Sequence, residues 1–389
     1  MKRILIIGAG FLQDFVICKA KEMGYYTIAI DGDPNAVGLK NADRSAIIDI
    51  VDQEACLKFA KSQRIDGVMT AATDYGVLSA SYVAGNLGLP GISYRTAKLI
   101  KNKYEVRKCL INAKVDDAIE AFEINSNTDL FSLHIHYPVI VKPSDGSGSR
   151  AAIRVNKYEE LSDACNTAIT ASLLNRAVVE SFIEGHEYGA ESIVVNGEIH
   201  VLGIMKKWMT NPPYYAELGH QFPSDLSEEM EAKASKCVEK AIKALGINHG
   251  AVNMDLIISK TGNIHIIDVG ARMGGNMIGP CIIPIGTGIQ YLENLIRITV
   301  GDAPNWNKAK PERVATRLLA FNKGVINKLP QFSELEKKYG VRIYHHMKEG
   351  DIINEYHTNL DGCGYIIAYG KDASHKADTV LSIIANSLV

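Results

Sequence analysis

The chain has 389 residues, of which 47% are hydrophobic and 22% charged, and its formal net charge is −2. A chain of this length exceeds one ordinary domain and has enough apolar residues for more than one core, so two or three domains are expected. The near-neutral charge and the lack of a long basic run argue against nucleic acid and anionic membranes as partners. No apolar run approaches membrane-spanning length, and we therefore expect small-molecule ligands.

Seven cysteines are scattered along the sequence without any C-x-x-C pair. An odd and dispersed set in a chain of this length is typical of reduced thiols that serve in packing, and it argues against structural zinc. The sequence therefore predicts a cytoplasmic protein. The cysteines are Cys18, Cys56, Cys109, Cys165, Cys237, Cys281 and Cys363.

A Gly-Ala-Gly turn at positions 8–10 follows the first predicted strand, and the next strand ends beside Asp31 and Asp33. This start resembles a dinucleotide-binding fingerprint, although Gln13 stands where its third glycine is expected. A tight turn between a strand and a helix is the simpler interpretation. A nicotinamide-dependent oxidoreductase is the alternative that the turn leaves open.

Strands and helices continue to alternate as far as residue 87, which is typical of a parallel sheet covered by helices on both faces. Asp74 lies in a loop after a predicted strand. It stands either at the edge where open α/β sheets bind ligands or at the cap of the next helix. Residues 94–112 are predicted to form one or two helices. Four cations in this stretch indicate a solvated helix face, namely Lys101, Lys103, Arg107 and Lys108.

A loop rich in glycine and serine follows a short β-branched strand and begins at Lys142. It contains Ser144, Gly146, Ser147 and Gly148, and its glycines let backbone N–H groups approach phosphate oxygens. The lysine adds a point charge, so this loop suits a polyphosphate. It lacks the Walker pattern of a P-loop, and a solvated loop between two strands is the plainer alternative.

Two antiparallel strands are predicted around the Asn196-Gly197 turn. Glu180 precedes them in a run that otherwise looks buried, where an unpaired carboxylate is costly. Glu191 alternates with apolar residues, which is consistent with plain surface. The stretch 208–225 has no periodicity, and we expect it to be an irregular functional loop.

A second hairpin places two aspartates opposite each other. Its strands flank Thr261-Gly262, and a two-residue turn there pairs Asp255 with Asp268, whose Cβ atoms would lie roughly 4.5–5.5 Å apart. Two facing carboxylates repel each other unless a cation lies between them, and Mg²⁺ prefers such oxygen ligands. A three-residue turn would shift the register. Pairing of one aspartate with an arginine such as Arg272 is the other alternative.

The remainder of the chain has no strong motif. His345 and His346 are predicted to lie at the surface, because no acidic residue accompanies them at a metal-binding spacing. The predicted elements are a helix at 226–245, strands at 314–322, 341–345 and 364–369, and a final helix at 374–387.

The Lys142 loop, the acidic hairpin and the Gly-Ala-Arg-x-Gly-Gly stretch around Arg272 together resemble the ATP-grasp superfamily. The likeness is to the group of biotin carboxylase, carbamoyl phosphate synthase and the amino-acid ligases, and it covers nearly the whole chain. It implies an α/β and α+β multidomain fold. The implied parts are a parallel α/β pre-ATP-grasp domain at 1–95, an ATP-grasp domain of two α+β subdomains at 96–308 with a lid at about 115–184, and a small C-terminal β-rich module at 309–389.

The same resemblance implies a nucleotide site. Lys103 is the first phosphate-contacting lysine and Lys142 the second, and the loop 144–149 is a mobile lid that carries Ser144, Gly146, Ser147 and Gly148. Adenine contacts are implied for Glu180, Ser181, Phe182 and Ile183, and a ribose contact for Glu187. Asp255 and Asp268 are the implied metal ligands, and Arg272 and Lys142 are the implied catalytic cations.

One departure from the family concerns the metal. The family pattern E-x-N-x-R is D-V-G-A-R here, so Gly270 replaces an amide ligand. This leaves one metal ion or two as alternatives, with Asn253 or Asn276 as candidates for the missing oxygen. The G-A-R-x-G-G form resembles the amino-acid ligase branch, which implies an acceptor site. Its candidate residues are Asp74, Glu217, His220, Arg272, Gly274 and Asn276.

These observations predict an ATP-dependent carboxylate–amine ligase for small metabolites such as amino acids. ATP would convert a carboxylate to an acyl phosphate, an amine would displace the phosphate, and ADP and phosphate would be released. The implied cofactors are ATP and Mg²⁺, with Mn²⁺ as a substitute, and a homodimer is one expected assembly. The alternatives are an NAD(P)-dependent oxidoreductase and a non-catalytic ATP-binding regulatory protein, which the altered metal motif favours.

Overall fold

A computed structural model describes residues 1–116, 118–146, 148, 151–212 and 214–388. Its N-terminal part alternates between strands and helices. The elements are β1 (Arg3–Ile7), α1 (Phe11–Glu22), β2 (Tyr26–Asp31), α2 (Gly38–Asn41), β3 (Arg44–Ile47), α3 (Gln53–Gln63), β4 (Gly67–Thr70) and α4 (Val77–Leu87). The strands pair in parallel in the order β3-β2-β1-β4, so the predicted parallel α/β unit is confirmed.

Burial and capping explain this unit. Leu5 and Ile28, on β1 and β2, have no exposed surface, as expected for parallel strands covered on both faces. Helix α3 begins after Asp52, whose side chain accepts a hydrogen bond from the backbone N–H of Ala55. The loop that carries Asp74 follows β4, at the carboxyl edge of the sheet.

Two helices and a small antiparallel sheet come next. The predicted helical stretch 94–112 forms two helices, because the Asn102 side chain accepts from the N–H groups of Tyr104 and Glu105 and starts the second helix. The elements are α5 (Tyr94–Ile100), α6 (Lys103–Asn112), β5 (Ala121–Ile124), β6 (Val139–Pro143), β7 (Ile153–Val155), α7 (Leu161–Ala171) and β8 (Ala177–Ser181). The sheet order is β5-β8-β6-β7, and β6 carries Lys142 near its end.

A large antiparallel sheet forms the remaining layer. The elements are β9 (Gly185–Val195), β10 (Glu198–Met209), β11 (Glu217–Phe222), α8 (Glu228–Ala244), β12 (Gly250–Ser259), β13 (Ile264–Gly270), α9 (Ile283–Thr287), α10 (Tyr291–Thr299), β14 (Val314–Leu318), β15 (Gly324–Val325), α11 (Phe332–Tyr339), β16 (Val341–His345), β17 (Ile352–Ile353), β18 (Gly364–Tyr369) and α12 (Ala373–Ser387). The order is β13-β12-β9-β10-β11-β14-β18-β16, so strands from both sides of residue 308 share one sheet.

Part of the stretch 208–225 is a strand, and its prediction as an irregular loop is wrong. Strand β10 continues to Met209, and β11 pairs with β10 on one side and β14 on the other. The sequence of β11 has little β-branched character, so its pattern does not indicate a strand, but two neighbours satisfy its backbone groups. Gly219 permits the close approach, since a Cβ there would lie 2.2 Å from the carbonyl oxygen of Thr316.

The hydrophobic core is continuous between the N-terminal sheet and the large sheet. One buried cluster contains Ile4 together with Met273, Tyr291 and Ile367. Within the described residues, no helix combines the length and the hydrophobicity that a bilayer span requires. The seven cysteines are free thiols.

Candidate active site

Strands β12 and β13 form the hairpin that the sequence predicts to hold a metal. Asp255 lies opposite Asp268, and Asn253 lies opposite Gly270, so both predicted pairs are confirmed. The Asp255 side chain is 28% exposed and the Asp268 side chain 38% exposed. The hairpin therefore presents two accessible carboxylates on one face.

A bulge in β13 produces this register. The turn has three residues instead of the predicted two, because Ser259 N–H donates to Asn263 at 2.9 Å. Alone, such a turn would place Asp255 opposite Ile267. Ile267 is an extra residue in β13, and this bulge moves Asp268 into the position opposite Asp255. The two offsets cancel, so a count from a two-residue turn reaches the right pair.

A lysine binds each of the two aspartates. Nζ of Lys103, at the start of α6, contacts Oδ1 of Asp268, and Nζ of Lys207, on β10, lies 2.9 Å from Oδ1 of Asp255. The alternative in which Arg272 pairs with one of these aspartates is wrong. Lys207 was not predicted, because its partner lies two strands away in the sheet and no local pattern indicates the contact.

Lys207 is buried among three carboxylates. Its Nζ lies 2.5 Å from Glu217, 2.9 Å from Asp255 and 3.5 Å from Glu187. Burial raises the pKa of Asp255 despite Lys207, and Glu217 raises it further. Burial alone would also raise the pKa of Glu217, but Lys207 lowers it to about 2. One lysine thus faces an excess of negative charge, which an additional cation would balance.

The facing aspartates fit a hard cation such as Mg²⁺, since each uses only Oδ1 in its lysine contact. The neighbouring amides are engaged elsewhere. Asn253 donates to Glu191 at 2.9 Å and accepts from Arg272 at 3.3 Å, and Asn276 donates to Glu217. Within the described ranges, no group of three His, Cys, Asp or Glu residues could hold a metal. Two protein ligands, with the rest from phosphate and water, is an arrangement that Mg²⁺ commonly adopts.

Lys142 lies at the end of β6 and is buried. Its Nζ lies 2.7 Å from Oε2 of Glu180 and donates to the carbonyl of Ile267 at 3.2 Å. The bulged residue of β13 therefore presents its carbonyl to this lysine. Because Lys103 contacts Asp268, the two lysines converge on adjacent residues of the same strand.

Arg107 binds Glu180 together with Lys142. Its Nε lies 3.0 Å from Glu180 and its Nη1 lies 2.8 Å from Asp116, and the residue is only 2% exposed. The predicted solvated face of α6 is therefore wrong at this position. Burial alone would raise the pKa of Glu180, but Lys142 and Arg107 lower it to about 2. Glu180 is thus an ionised counter-charge for Lys142.

The loop after Lys142 is described in part, and Ser147 lies outside the described residues. The N–H of Lys103 donates to the carbonyl of Ser144 at 2.8 Å, which joins the start of α6 to the loop. Gly148 has a φ of +68°, a left-handed conformation that favours glycine. The backbone thus brings the two predicted phosphate elements together.

The segment predicted to contact adenine follows β8. Ser181, Phe182 and Ile183 are half-buried there. The guanidinium of Arg154 lies 4.3 Å from the centre of the Phe182 ring. Glu187, the predicted ribose contact, faces Lys207 at 3.5 Å.

Arg272 is held by Asp74 and Asn253. Its Nη2 lies 2.9 Å from Oδ2 of Asp74, and its Nη1 donates to Oδ1 of Asn253 at 3.3 Å. A Cβ added at Gly270 would lie 3.0 Å from Cζ of Arg272 and 3.1 Å from Oδ1 of Asp74. The departure from the family pattern at this position therefore makes room for the Asp74–Arg272 pair, which joins the N-terminal unit to the site.

Glu191 is fully buried at 0% exposure, so its interpretation as plain surface is wrong. Its carboxylate accepts hydrogen bonds from Tyr291 Oη at 2.5 Å, Asn253 Nδ2 at 2.9 Å and the Gly274 N–H at 3.0 Å. Burial raises its pKa to about 7, although these donors oppose the shift. Because Asn253 also binds Arg272, Glu191 supports both the arginine and the glycine-rich turn.

The residues predicted to form an acceptor site lie close together. Asn276 Nδ2 contacts Glu217, Asn359 Nδ2 donates to Glu217 at 3.3 Å, and Tyr365 Oη donates to Asn276 at 3.4 Å. His220 is buried, and its Nδ1 has no partner in the described part of the chain. Burial lowers its pKa to about 4, so it is neutral at neutral pH. Asn359 and Tyr365 come from the C-terminal segment, where no motif indicates them.

The glycine turn after β1 is closed by protein groups. Asp31 Oδ2 accepts from the N–H of Ala9 at 2.7 Å, and Gln13 Nε2 donates to the carbonyl of Ala71. The carboxylate that would bind a ribose in a dinucleotide site is therefore used within the turn. The geometry agrees with the simpler interpretation of a tight turn.

The profile of the ATP-grasp domain family matches residues 135–280, a range that contains the Lys142 loop, the acidic hairpin and Arg272. An L-amino acid ligase structure from Bacillus licheniformis has a TM-score of 0.85 at 22% identity, and the match covers 100% of this chain and 98% of that one. Phosphoribosylglycinamide synthetase from Anaerococcus prevotii has a TM-score of 0.78 at 25% identity, with 99% and 98% covered.

A curated relative, the formate-dependent phosphoribosylglycinamide formyltransferase of Prochlorococcus marinus, is 29% identical over 176 residues. That match covers 44% of this chain and 44% of the relative. Together these likenesses confirm the predicted resemblance to the ATP-grasp superfamily and its mixed α/β fold. The chain is an ATP-grasp enzyme of the ligase class, and this family uses ATP with Mg²⁺. The oxidoreductase alternative finds no support in these likenesses.

Proposed function

We propose that this enzyme joins a small carboxylate to an amine, at the expense of ATP and through an acyl phosphate. The observation that carries the proposal is the convergence of Lys103 and Lys142 on Asp268 and Ile267, beside the facing carboxylates. Cations for phosphate oxygens and carboxylates for a metal are the two halves of a Mg²⁺–nucleotide site.

The reaction would have two steps. A carboxylate oxygen of the first substrate attacks the γ-phosphorus of ATP, and the bond to the β–γ bridging oxygen breaks, which releases ADP. The nitrogen of the second substrate then attacks the acyl carbon and loses a proton, and inorganic phosphate departs as the C–N bond forms. Neither step requires a nucleophile from the protein, so catalysis rests on preorganised charge.

The chain's residues divide this work. Lys103 and Lys142 would bind the phosphates, and Arg272 would stabilise the charge of the acyl phosphate. Asp255 and Asp268 would hold Mg²⁺, which when bound neutralises charge on the phosphoryl oxygens.

Amino acids or similar small metabolites are the proposed substrates. The likeness to an L-amino acid ligase fold supports this class. Glu217 also supports it, because its carboxylate is ionised and suits an ammonium group. His220 stays neutral beside it and adds a hydrogen-bonding group.

A phosphate-release assay over a panel of carboxylates and amines tests the proposal. Release should require ATP, Mg²⁺, one carboxylate and one amine together. Lys142→Ala should lower the rate by about 10²-fold or more, as expected for the loss of a group that stabilises transferred charge. Lys157→Ala, at an exposed site in the same part of the chain, should match the wild type. ATP binding without release from any pair would favour the regulatory alternative instead.

Domain boundaries at 95/96 and 308/309, a cytoplasmic location, a homodimer and the substitution of Mn²⁺ stay predictions. The large sheet crosses the second boundary, so we expect the C-terminal segment to unfold together with the ATP-grasp strands.

A further inference from the structure

A cleft of about 380 Å³ lies between the N-terminal unit and the hairpin. Val77, Ala97 and Ile100, from α4 and α5, give it apolar walls, while Asp74 and Lys101 give it charge. Its lining continues to the start of α6 and the end of β13. The cleft is therefore adjacent to the proposed phosphate site and differs from it in having an apolar body.

Lys101 differs from the other cations of the site. Its Nζ donates to the backbone carbonyl of Asp145 at 3.1 Å and lies 4.5 Å from the centre of the Tyr75 ring. No carboxylate in the described part of the chain lies within 4.0 Å of it. By contrast, Lys103, Lys142, Lys207 and Arg272 each have a carboxylate partner.

A half-buried ammonium without a counter-ion is unfavourable, because burial removes hydration that no opposite charge replaces. Burial accordingly lowers the pKa of Lys101. A bound anion would supply the missing charge. A polyphosphate does not suit the apolar walls, whereas a carboxylate on a short hydrocarbon body suits both the walls and the cation.

We propose that this cleft binds the carboxylate substrate, with its carboxylate paired to Lys101 and its short aliphatic body against Val77, Ala97 and Ile100. This inference rests on the proposed ligase function and adds the class of acid. It makes Lys101 a binding residue, to which the family resemblance assigns no role. The enzyme should prefer short aliphatic carboxylates, amino acids with small side chains included.

Binding can be measured without turnover. Saturation-transfer NMR would follow propionate and L-alanine on the full chain saturated with MgADP. Lys101→Met should weaken both by at least ten-fold and leave the Kd of MgADP unchanged, while Lys101→Arg should restore most of the affinity. Lys98→Met, on an exposed turn of the same helix α5, is the matched control and should bind like the wild type.

Three results would overturn the inference. Lys101→Met weakening MgADP as strongly as Lys103→Met does would make Lys101 a phosphate contact. Equal affinity of the wild type and Lys101→Met for propionate and L-alanine would remove its role in binding acids. No binding of either acid to the wild type would reject the class of ligand. Carboxylate binding that depends on Lys101, in a chain that releases no phosphate, would count against the ligase reaction and not against the cleft.

Discussion

Glu191 reaches Arg272 only through Asn253, and this indirect link can be measured. Glu191→Gln replaces one carboxylate oxygen with an N–H₂ group, so one of the three donors loses its acceptor. We expect turnover to fall about ten-fold, the equivalent of one hydrogen bond to a charged group, with little change in the KM for ATP. Steady-state kinetics with the substrate pair from the panel would show this split.

A double-mutant cycle provides the control. If Glu191 acts by positioning Arg272, then Glu191→Gln should cost little further activity in an Arg272→Lys background. Tyr291→Phe removes a single donor to Glu191 and leaves Asn253 in place, so it should have the smaller effect on turnover. Fully additive effects of the first two substitutions would show that Glu191 has only a structural role.

The same residue gives a pH dependence of stability. The folded-state pKa of Glu191, about 7, lies above its ordinary value, so the folded state holds a proton that the unfolded chain releases. Its contribution is complete below the ordinary value of 4.5 and is lost as the pH rises through 7, by roughly 3 kcal/mol at most. Thermal melts at pH 5 and pH 8 should show that the stability difference between wild type and Glu191→Gln shrinks at the higher pH. A pH-independent difference would contradict the shift.

Single residues of this site fall into two groups. Lys142, Asp255, Asp268 and Arg272 could be predicted because each belongs to a local pattern of glycines, alternation or spacing. Arg107, Glu191 and Lys207 could not, because their partners are distant in sequence and their burial is decided by those partners. The sequence counts charges, whereas burial depends on what another element presents.

Strand β11 holds the two halves of the large sheet together, and its glycine can be tested. Gly219→Ala should push β11 away from β14, because its Cβ would meet a backbone oxygen at 2.2 Å. We expect a loss of about 1–3 kcal/mol of stability, measured by urea unfolding. Gly85→Ala is the matched control, since a Cβ there meets nothing within 4 Å in helix α4. It should stabilise by about 0.5–1 kcal/mol, and equal losses in both variants would contradict the role of Gly219.

Elements with strong periodicity or clear caps were predicted well. The parallel sheet, the two helices of 94–112 and the strand at 341–345 all appear where the sequence indicates them. Strand β11 was missed because pairing on both edges, and not its own side chains, stabilises it.

The whole molecule should respond to its nucleotide. The proposed site draws on α6, β6, β13 and, through Asp74, the N-terminal unit, so bound MgADP would stabilise all of them together. At 100 times its Kd a ligand adds about 2.7 kcal/mol, which should raise the melting temperature by several degrees. Thermal-shift measurements should show this rise for the wild type and lose it in Lys142→Ala. A rise with NADH and none with MgADP would revive the oxidoreductase alternative.

The arrangement of the parts was predictable from the resemblance, whereas their connections were not. The shared core of Ile4, Tyr291 and Ile367 and the Asp74–Arg272 pair depend on contacts between distant segments. Composition and periodicity describe each segment alone and carry no information on such contacts.

The bulge at Ile267 bears on how the site can be recognised in other sequences. The bulged residue has no partner on β12, so a chain without it would have a shorter interval between its aspartates and still place them opposite each other. Searches that require one fixed interval would miss such a homologue. That chain would, however, lack the carbonyl that Lys142 contacts. Insertions and deletions in this strand should therefore leave metal binding intact and change the placement of the lysine.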